Sequence, residues 1–136
     1  MSQAAIAPAL YAGFGCRSGC PVETLDTLLR QTLSEHQLPL SALRGIASID
    51  SKAHEPGLLQ LAERLGLPLT VFTAQHLLPL APRLSHRSDI TFRHTGCWGV
   101  AESSALALAQ SNYPHANLRV ERQVLGPATL AIASPV

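Results

Sequence analysis

Three short segments of the sequence carry the residue types that could bind or transform a ligand. The first, residues 13–20, reads GFGCRSGC, with glycines at positions 13, 15 and 19. Glycines allow consecutive backbone N–H groups to turn toward one point, and a following helix N-terminus adds roughly half a positive charge. The segment therefore predicts an anion site, and a tight turn that binds nothing is the alternative. The glycine spacing differs from the dinucleotide-binding fingerprint, and the sequence has no P-loop.

The second segment, residues 50–56, concentrates charge in the sequence DSKAHEP. It holds Lys52, the only lysine of the chain, together with Asp50, His54 and Glu55. The Lys52 ammonium could pair with a carboxylate of a ligand, or with Asp50 or Glu55 to fix the loop. Glu55 could instead cap the helix that Pro56 opens.

The third segment, residues 95–102, reads TGCWGVAE. Glu102 falls in the first turn of a predicted helix, where a carboxylate favours the helix dipole. Gly96 and Gly99 allow close approach of the backbone. Trp98, the only tryptophan, lies outside any periodic apolar face, so it either covers a flat ligand or shields an edge of the sheet.

The cysteines and histidines do not form a metal-binding pattern. Cys16 and Cys20 are spaced C-x3-C, Cys97 is distant, and the six histidines contain no HxH or HxxxH pair. A structural zinc ion needs four ligands in paired spacings, so no metal site is predicted. Cys16, near a helix N-terminus, could be an activated nucleophile, but no base partner is evident and an inert thiol is the alternative.

Short apolar runs and helical periodicity predict the elements that position these segments. The predicted strands cover residues 10–14, 45–49 and 69–72, followed by a closing hairpin of residues 118–124 and 128–133 around Gly126 and Pro127. The predicted helices run from Pro21 to about Glu35, from Pro56 to a stop at Gly66, briefly from near Thr73, and over about 100–111, with one further helical turn at 41–44. Residues 79–95 predict an extended loop with at most one short strand, at 89–92.

This order of elements predicts an α/β fold in three layers, α/β/α, around a mixed, partly parallel sheet of about five strands with a C-terminal hairpin. We expect a single domain over residues 1–136, with residues 1–8 frayed. Ligands of such sheets bind beyond the carboxyl ends of the strands. That rule selects the three segments at 13–20, 50–56 and 95–102.

Composition excludes several classes of protein. Ten Lys and Arg residues against nine Asp and Glu give a formal charge of +1, which provides no field to attract nucleic acid or an anionic membrane. With 46% hydrophobic and 14% charged residues, against about 25% charged in an average domain, the chain is not a disordered one. No apolar run reaches the ~20 residues of a membrane-spanning helix, and the first residues lack a secretory signal pattern. The odd number of cysteines favours a reducing compartment, and we expect a cytoplasmic protein.

Four stretches of the sequence resemble one family. They are GFGCRSGC, ASIDSKAHEPGLLQLAERLGLPLTVFTAQHL, TGCWGVAESSALALA and GPATLAIA. Together they resemble the family formed by CobE and the C-terminal domain of CbiG, from cobalamin biosynthesis, over residues 10–133. The most specific part is the order Asp50, Lys52, Glu55, Pro56, Gly57. The family tends to have Pro-Lys before its last hairpin strand, where this chain has Glu121 and Arg122.

The resemblance implies an α/β domain that acts on the corrin ring at or near the ring-contraction stage. Fused members of the family open a ring lactone of a cobalt-containing precorrin and release acetaldehyde. The chain has no region that corresponds to their N-terminal part, so we expect the stand-alone CobE form of the oxygen-dependent route.

Two functions follow as hypotheses. The first is a binding or carrier protein for a tetrapyrrole intermediate, without a cofactor of its own, that could also dock on other enzymes of the pathway. Its predicted ligand-binding residues are Gly13, Gly15, Cys16, Arg17, Gly19, Asp50, Lys52, Glu55, Gly96 and Trp98. The alternative is a hydrolase for the ring lactone of a precorrin-5-type intermediate, with Glu102 or His54 as base and Lys52 as electrostatic stabiliser.

Overall fold

Residues 9–135, which the computed structural model describes, form five strands and five α-helices. In chain order these are β1 (Leu10–Cys16), α1 (Val22–Glu35), β2 (Leu43–Ile49), α2 (Pro56–Leu65), β3 (Leu69–Phe72), α3 (Ala74–Leu77), α4 (Asp89–Thr95), α5 (Val100–Asn112), β4 (Asn117–Leu125) and β5 (Ala128–Ser134). Short 3-10 turns cover Leu40–Ala42, Asp50–Lys52 and Leu78–Arg83. The predicted frayed residues, 1–8, lie outside the described part of the chain.

The strands form one mixed sheet in the order β3-β2-β1-β5-β4. β1, β2 and β3 are parallel, whereas β5 is antiparallel to both β1 and β4. The predicted C-terminal hairpin is confirmed: Gly126, with φ of 55°, opens a two-residue turn between β4 and β5. A positive φ is accessible to glycine without steric cost, which explains its use at this position.

Helices α1 and α2 cover one face of the sheet with large aliphatic side chains. In α1, Leu25, Leu28, Leu29 and Leu33 recur at helical spacing and are buried against the sheet. Leu58 and Leu61 of α2 join the same core. The stop predicted for α2 is confirmed, because Gly66 adopts the left-handed conformation at φ of 68°.

Helix α5 covers the opposite face and uses small side chains to do so. Ala101, Ala105 and Ala109 are buried against β1 and β5. The contact is so close that a Cβ atom on Gly13 would lie 2.1 Å from the backbone oxygen of Ala101. The predicted three-layer α/β/α fold with five strands is thus confirmed.

The prediction of an extended loop over residues 79–95, with a strand at 89–92, was wrong. The segment contains nearly all of the 3-10 turn Leu78–Arg83 and the whole of helix α4, Asp89–Thr95. The Ser88 hydroxyl caps α4 by accepting the Thr91 N–H at 3.1 Å, and Gly96 ends the helix at φ of 79°. These two caps outweigh the strand preference of Ile90, Thr91 and Phe92.

The short elements around α3 and before β2 lie close to their predicted positions. The short helix predicted from near Thr73 is α3, and Thr73 caps it, since its Oγ1 accepts the His76 N–H at 3.1 Å. The helical turn expected at 41–44 is the 3-10 turn Leu40–Ala42, and β2 begins at Leu43, two positions before the predicted start. Within residues 9–135, no helix combines the length and the apolar character needed to cross a membrane.

Candidate functional site

A cavity of about 790 Å³ lies at the carboxyl ends of β1 and β2. Its lining includes Cys16 at the end of β1 with Arg17 and Ser18 directly after it, and Ser51 and Lys52, which follow β2. The third predicted segment contributes Trp98 and the first turn of α5. All three segments selected from the sequence therefore meet at one cavity, as expected for loops at the carboxyl edge of a parallel sheet.

Part of the cavity lining is an apolar wall, in which Trp98 belongs to an aromatic stack. Trp98 stacks on Phe92 of α4, with ring centroids 4.3 Å apart and an angle of 25° between the ring planes. Ile90 and Val124 line the cavity while 66% and 58% exposed to solvent. Exposed apolar side chains around a concave surface are typical of a ligand-binding site.

The charged side chains of the lining are mainly cationic. Arg17, Lys52 and Arg122 line the cavity, whereas Glu102 is the acidic residue of the lining. His86 and His94 also line it. A cavity with this balance of charges attracts anionic groups on a ligand.

Lys52 forms an ion pair with Glu55, and Glu55 also connects the second predicted segment to the first. The Lys52 Nζ lies 3.7 Å from Glu55 Oε1, and Glu55 Oε2 accepts the Gly19 N–H at 2.9 Å. Glu55 is buried, whereas Lys52 retains 18% side-chain exposure and lines the cavity. Of the two alternatives for Lys52, the loop-fixing pair with Glu55 is present, and the ammonium is also available to the cavity.

The Cys16 thiol is not activated. Burial is the main cause that raises its pKa, Glu55 raises it further and Lys52 partly opposes both, so the pKa lies at about 11. Burial also raises the pKa of Cys20. Cys16 is therefore a neutral thiol at physiological pH, which disfavours its proposed role as a nucleophile. All three cysteines are free, and Cys97 is buried against the Ser103 hydroxyl at 3.1 Å.

Glu102 is a buried carboxylate that holds two neighbouring segments onto α5. Its Oε1 accepts the Ser85 N–H at 2.8 Å, and its Oε2 accepts the Arg122 N–H at 2.9 Å and the Ser85 hydroxyl. The Ser85 Oγ also lies 2.6 Å from His86 Nδ1. Both oxygens of Glu102 are therefore occupied by protein donors, and its immediate role is to position the segment around Ser85 and β4.

Several predicted ligand-binding residues do not line the cavity. Gly13 is covered by α5, Gly96 ends α4, and the Gly19 N–H is bonded to Glu55. Asp50 and the predicted base His54 are exposed at the surface outside the lining, and Glu55 is buried outside it. The predicted residues that do line it are Gly15, Cys16, Arg17, Lys52, Trp98 and Glu102.

Residues from around α4 and from the hairpin also line the cavity, and none of them was predicted from the sequence to do so. His86, Ile90, Thr91 and His94 line the cavity from around α4, and Arg122, Val124 and Thr129 line it from β4 and β5. The caps Ser88 and Gly96 were a signal for α4 in the sequence. For Arg122 there was no local signal, because its position depends on the pairing of the hairpin with β1.

The described residues offer no obvious place for a metal ion. Within residues 9–135, no group of three or more His, Cys, Asp or Glu side chains is arranged to hold one. The site can instead bind a large organic anion through its cations and its apolar wall.

Comparison with known proteins identifies a family and its relatives. Residues 10–133 match the model of the family described as "Cobalamin synthesis G C-terminus". The protein CobE of Sinorhizobium sp is 36% identical over 126 residues, which cover 93% of this chain and 80% of that protein. The crystal structure of CobE, a protein from the cobalamin (vitamin B12) biosynthetic pathway, is 42% identical with a TM-score of 0.90, over 96% of this chain and 93% of that one.

A longer relative has an enzymatic name. The cobalt-precorrin-5A hydrolase of Priestia megaterium is 27% identical over 124 residues, which cover 91% of this chain. The matched region spans only 32% of that protein.

Proposed function

The chain belongs to the cobalamin synthesis G C-terminus family, and from this premise we propose that it binds a precorrin or corrin intermediate of cobalamin biosynthesis and hands it to another enzyme of the pathway. Such an intermediate is a wide, flat macrocycle with acetate and propionate side chains. Its receptor needs an apolar surface for the ring and cations for the carboxylates.

The observation that carries this proposal is the combination of these two features in one cavity. Trp98 and Ile90 provide apolar surface, and Arg17, Lys52 and Arg122 provide positive charge, in a volume of about 790 Å³. The volume falls within the range of roughly 300–1,000 Å³ that is usual for small-molecule sites. The two proteins named CobE support the choice of pathway by their similarity over nearly the whole chain.

An absorbance titration tests this function. The probes are dicyanocobyrinic acid, a corrin with free peripheral carboxylates, and dicyanocobinamide, in which the same side chains are amidated. We expect the acid to bind with a Kd of tens of micromolar or tighter, which corresponds to about 6 kcal/mol, and the amide to bind more weakly. Absence of any binding of the acid at these concentrations would overturn the proposal.

A second candidate function is hydrolysis of a ring lactone, favoured by the name of the Priestia megaterium relative and by a histidine in the cavity. In this reaction water adds to the lactone carbonyl and the ring ester bond breaks. The alkoxide so formed leaves as acetaldehyde when the carbon–carbon bond to the macrocycle breaks, and the macrocycle carbon that keeps the electron pair of that bond takes up a proton. His86, which lines the cavity, is better situated as the base than His54, which does not. Lys52 would stabilise the negative charge that develops on the carbonyl oxygen.

Acetaldehyde release from cobalt-precorrin-5A separates the two functions. If the chain is a hydrolase, His86→Ala reduces the rate by roughly 100-fold or more, and the matched variant His54→Ala leaves it unchanged. Corrin binding without acetaldehyde release by the wild-type protein would contradict the hydrolase function and leave the carrier function standing.

A further inference from the structure

Arg122 is turned into the cavity by an irregularity of strand β4. The register of β4 against β5 shifts between Val120 and Gln123. Val120 belongs to the core under α1, whereas Arg122, two positions later, lines the cavity on the α5 side. Residues two apart in a regular strand point to the same face, so the register shift is what directs Arg122 toward the cavity.

The backbone of Arg122 is fixed, but its guanidinium is not paired. The Arg122 N–H donates to Glu102 Oε2 at 2.9 Å, which anchors this part of β4 to α5. The ion pairs of residues 9–135 involve Arg30, Lys52 and Arg64, and none involves Arg122. The nearest lining carboxylate, Glu102, is therefore used to hold the Arg122 backbone and not to neutralise its side chain.

The Arg122 Nε is a buried donor without a hydrogen-bond partner. Among the side-chain nitrogen and oxygen atoms buried within residues 9–135, it is the one without a hydrogen-bond partner. A buried donor of a charged group is costly when it is left unpaired, and native proteins leave few such groups. An unpaired donor at the wall of a cavity is explained when a ligand supplies the missing acceptor.

We propose that Arg122 is the carboxylate anchor of the cavity, and that it receives one acidic side chain of the macrocycle through two parallel hydrogen bonds from Nε and an Nη. This inference rests on the proposed function and specifies which residue recognises the acid groups of the ligand. The planar guanidinium matches a carboxylate in this two-point manner, whereas a lysine ammonium at the same position would act as a point charge.

The substitution Arg122→Lys isolates this role, because it keeps the charge and removes the two-point geometry. We expect R122K to bind dicyanocobyrinic acid roughly 10- to 100-fold more weakly than the wild type, with little change for dicyanocobinamide. The matched control is Arg119→Lys, an exposed position of the same strand outside the cavity lining, which should leave both affinities unchanged.

Thermal unfolding of the unliganded proteins separates ligand recognition from a structural role. Because the Arg122 Nε has no protein partner, R122K should not lower Tm, and Arg122→Met provides a second variant that removes the buried donor altogether. Equal binding of the acid by wild type and R122K would overturn the inference, as would an equal loss for the acid and the amide. Failure of the wild type to bind the acid would instead contradict the proposed function itself.

Discussion

The two faces of the sheet are packed with different kinds of side chain. Under α1 and α2 the core is made of large aliphatic and aromatic residues such as Phe14, Leu29 and Leu58, all fully buried. Under α5 it is made mainly of alanines, together with Tyr11 and Leu106, and the buried residues there include polar ones, Glu102 and Ser104 among them. The difference indicates that the first face supplies most of the hydrophobic stabilisation, whereas the second brings the start of α5 close to the cavity.

Removal of a large side chain from the core under α1 and α2 should have the greatest effect on stability. Leu58→Ala removes a fully buried side chain from the core of α1 and α2, and we expect it to lower the free energy of unfolding by about 2–5 kcal/mol. Urea unfolding measures this loss. The fraction that remains folded should bind dicyanocobyrinic acid with unchanged affinity, and a parallel loss of affinity would contradict the separation of the two faces.

A substitution in the α5 face should affect both stability and binding. The Cβ of Gly13→Ala would meet the backbone oxygen of Ala101 at 2.1 Å, so α5 must move away from β1. We expect a loss of about 1–3 kcal/mol in the free energy of unfolding, together with weaker corrin binding, because α5 carries part of the cavity lining.

Gly45→Ala is the matched control for this change. The nearest atom to a Cβ there would be the end of the Leu108 side chain, at 3.4 Å, which can adjust, and Pro68 would lie at ordinary contact distances of 3.8 Å and more. If Gly13→Ala bound the corrin acid as tightly as Gly45→Ala does, close packing of α5 would not be needed for the cavity.

The smallest expected effect on stability comes from the titration of the Cys16 thiol at the cavity. Its pKa is raised from 9.0 to about 11 in the folded protein, mainly by burial, so the folded state holds the proton more tightly than the unfolded state. The stabilisation from this group is complete below pH 9 and is lost as the pH rises from 9 to 11.

Alkylation by iodoacetamide at increasing pH measures this pKa. The reaction of Cys16 should accelerate up to a midpoint near pH 11, with Cys20 and Cys97 replaced by alanine. Lys52→Met should move the midpoint upward, because the ammonium lowers the pKa of this thiol. A midpoint below pH 9 would show that the thiol is activated after all.

Much of the fold was predictable from local patterns in the sequence. The apolar runs of β1, β2 and β3, the helical spacing of leucines in α1, and the stop at Gly66 are all local signals, and the structure confirms them. Helix α4 was missed because its apolar residues suit a strand, and only its two caps indicate a helix.

The site was predictable only in part, for a physical reason. The three segments could be selected because the carboxyl ends of parallel strands share one edge. The partners of Glu55 and Glu102 could not, since these carboxylates accept hydrogen bonds from Gly19 and Arg122, which are 36 and 20 positions away in the chain. Contacts at such separations depend on the assembled sheet and leave no local pattern.

The stack of Trp98 on Phe92 gives the cavity an optical signal of its own. Trp98 is the only tryptophan of the chain, so all tryptophan emission originates at the wall of the site. Corrins absorb in the near ultraviolet, where this indole emits, and a bound macrocycle would quench it by energy transfer. Occupancy of the cavity can thus be followed in the unlabelled wild-type protein, without a dye or an engineered fluorophore.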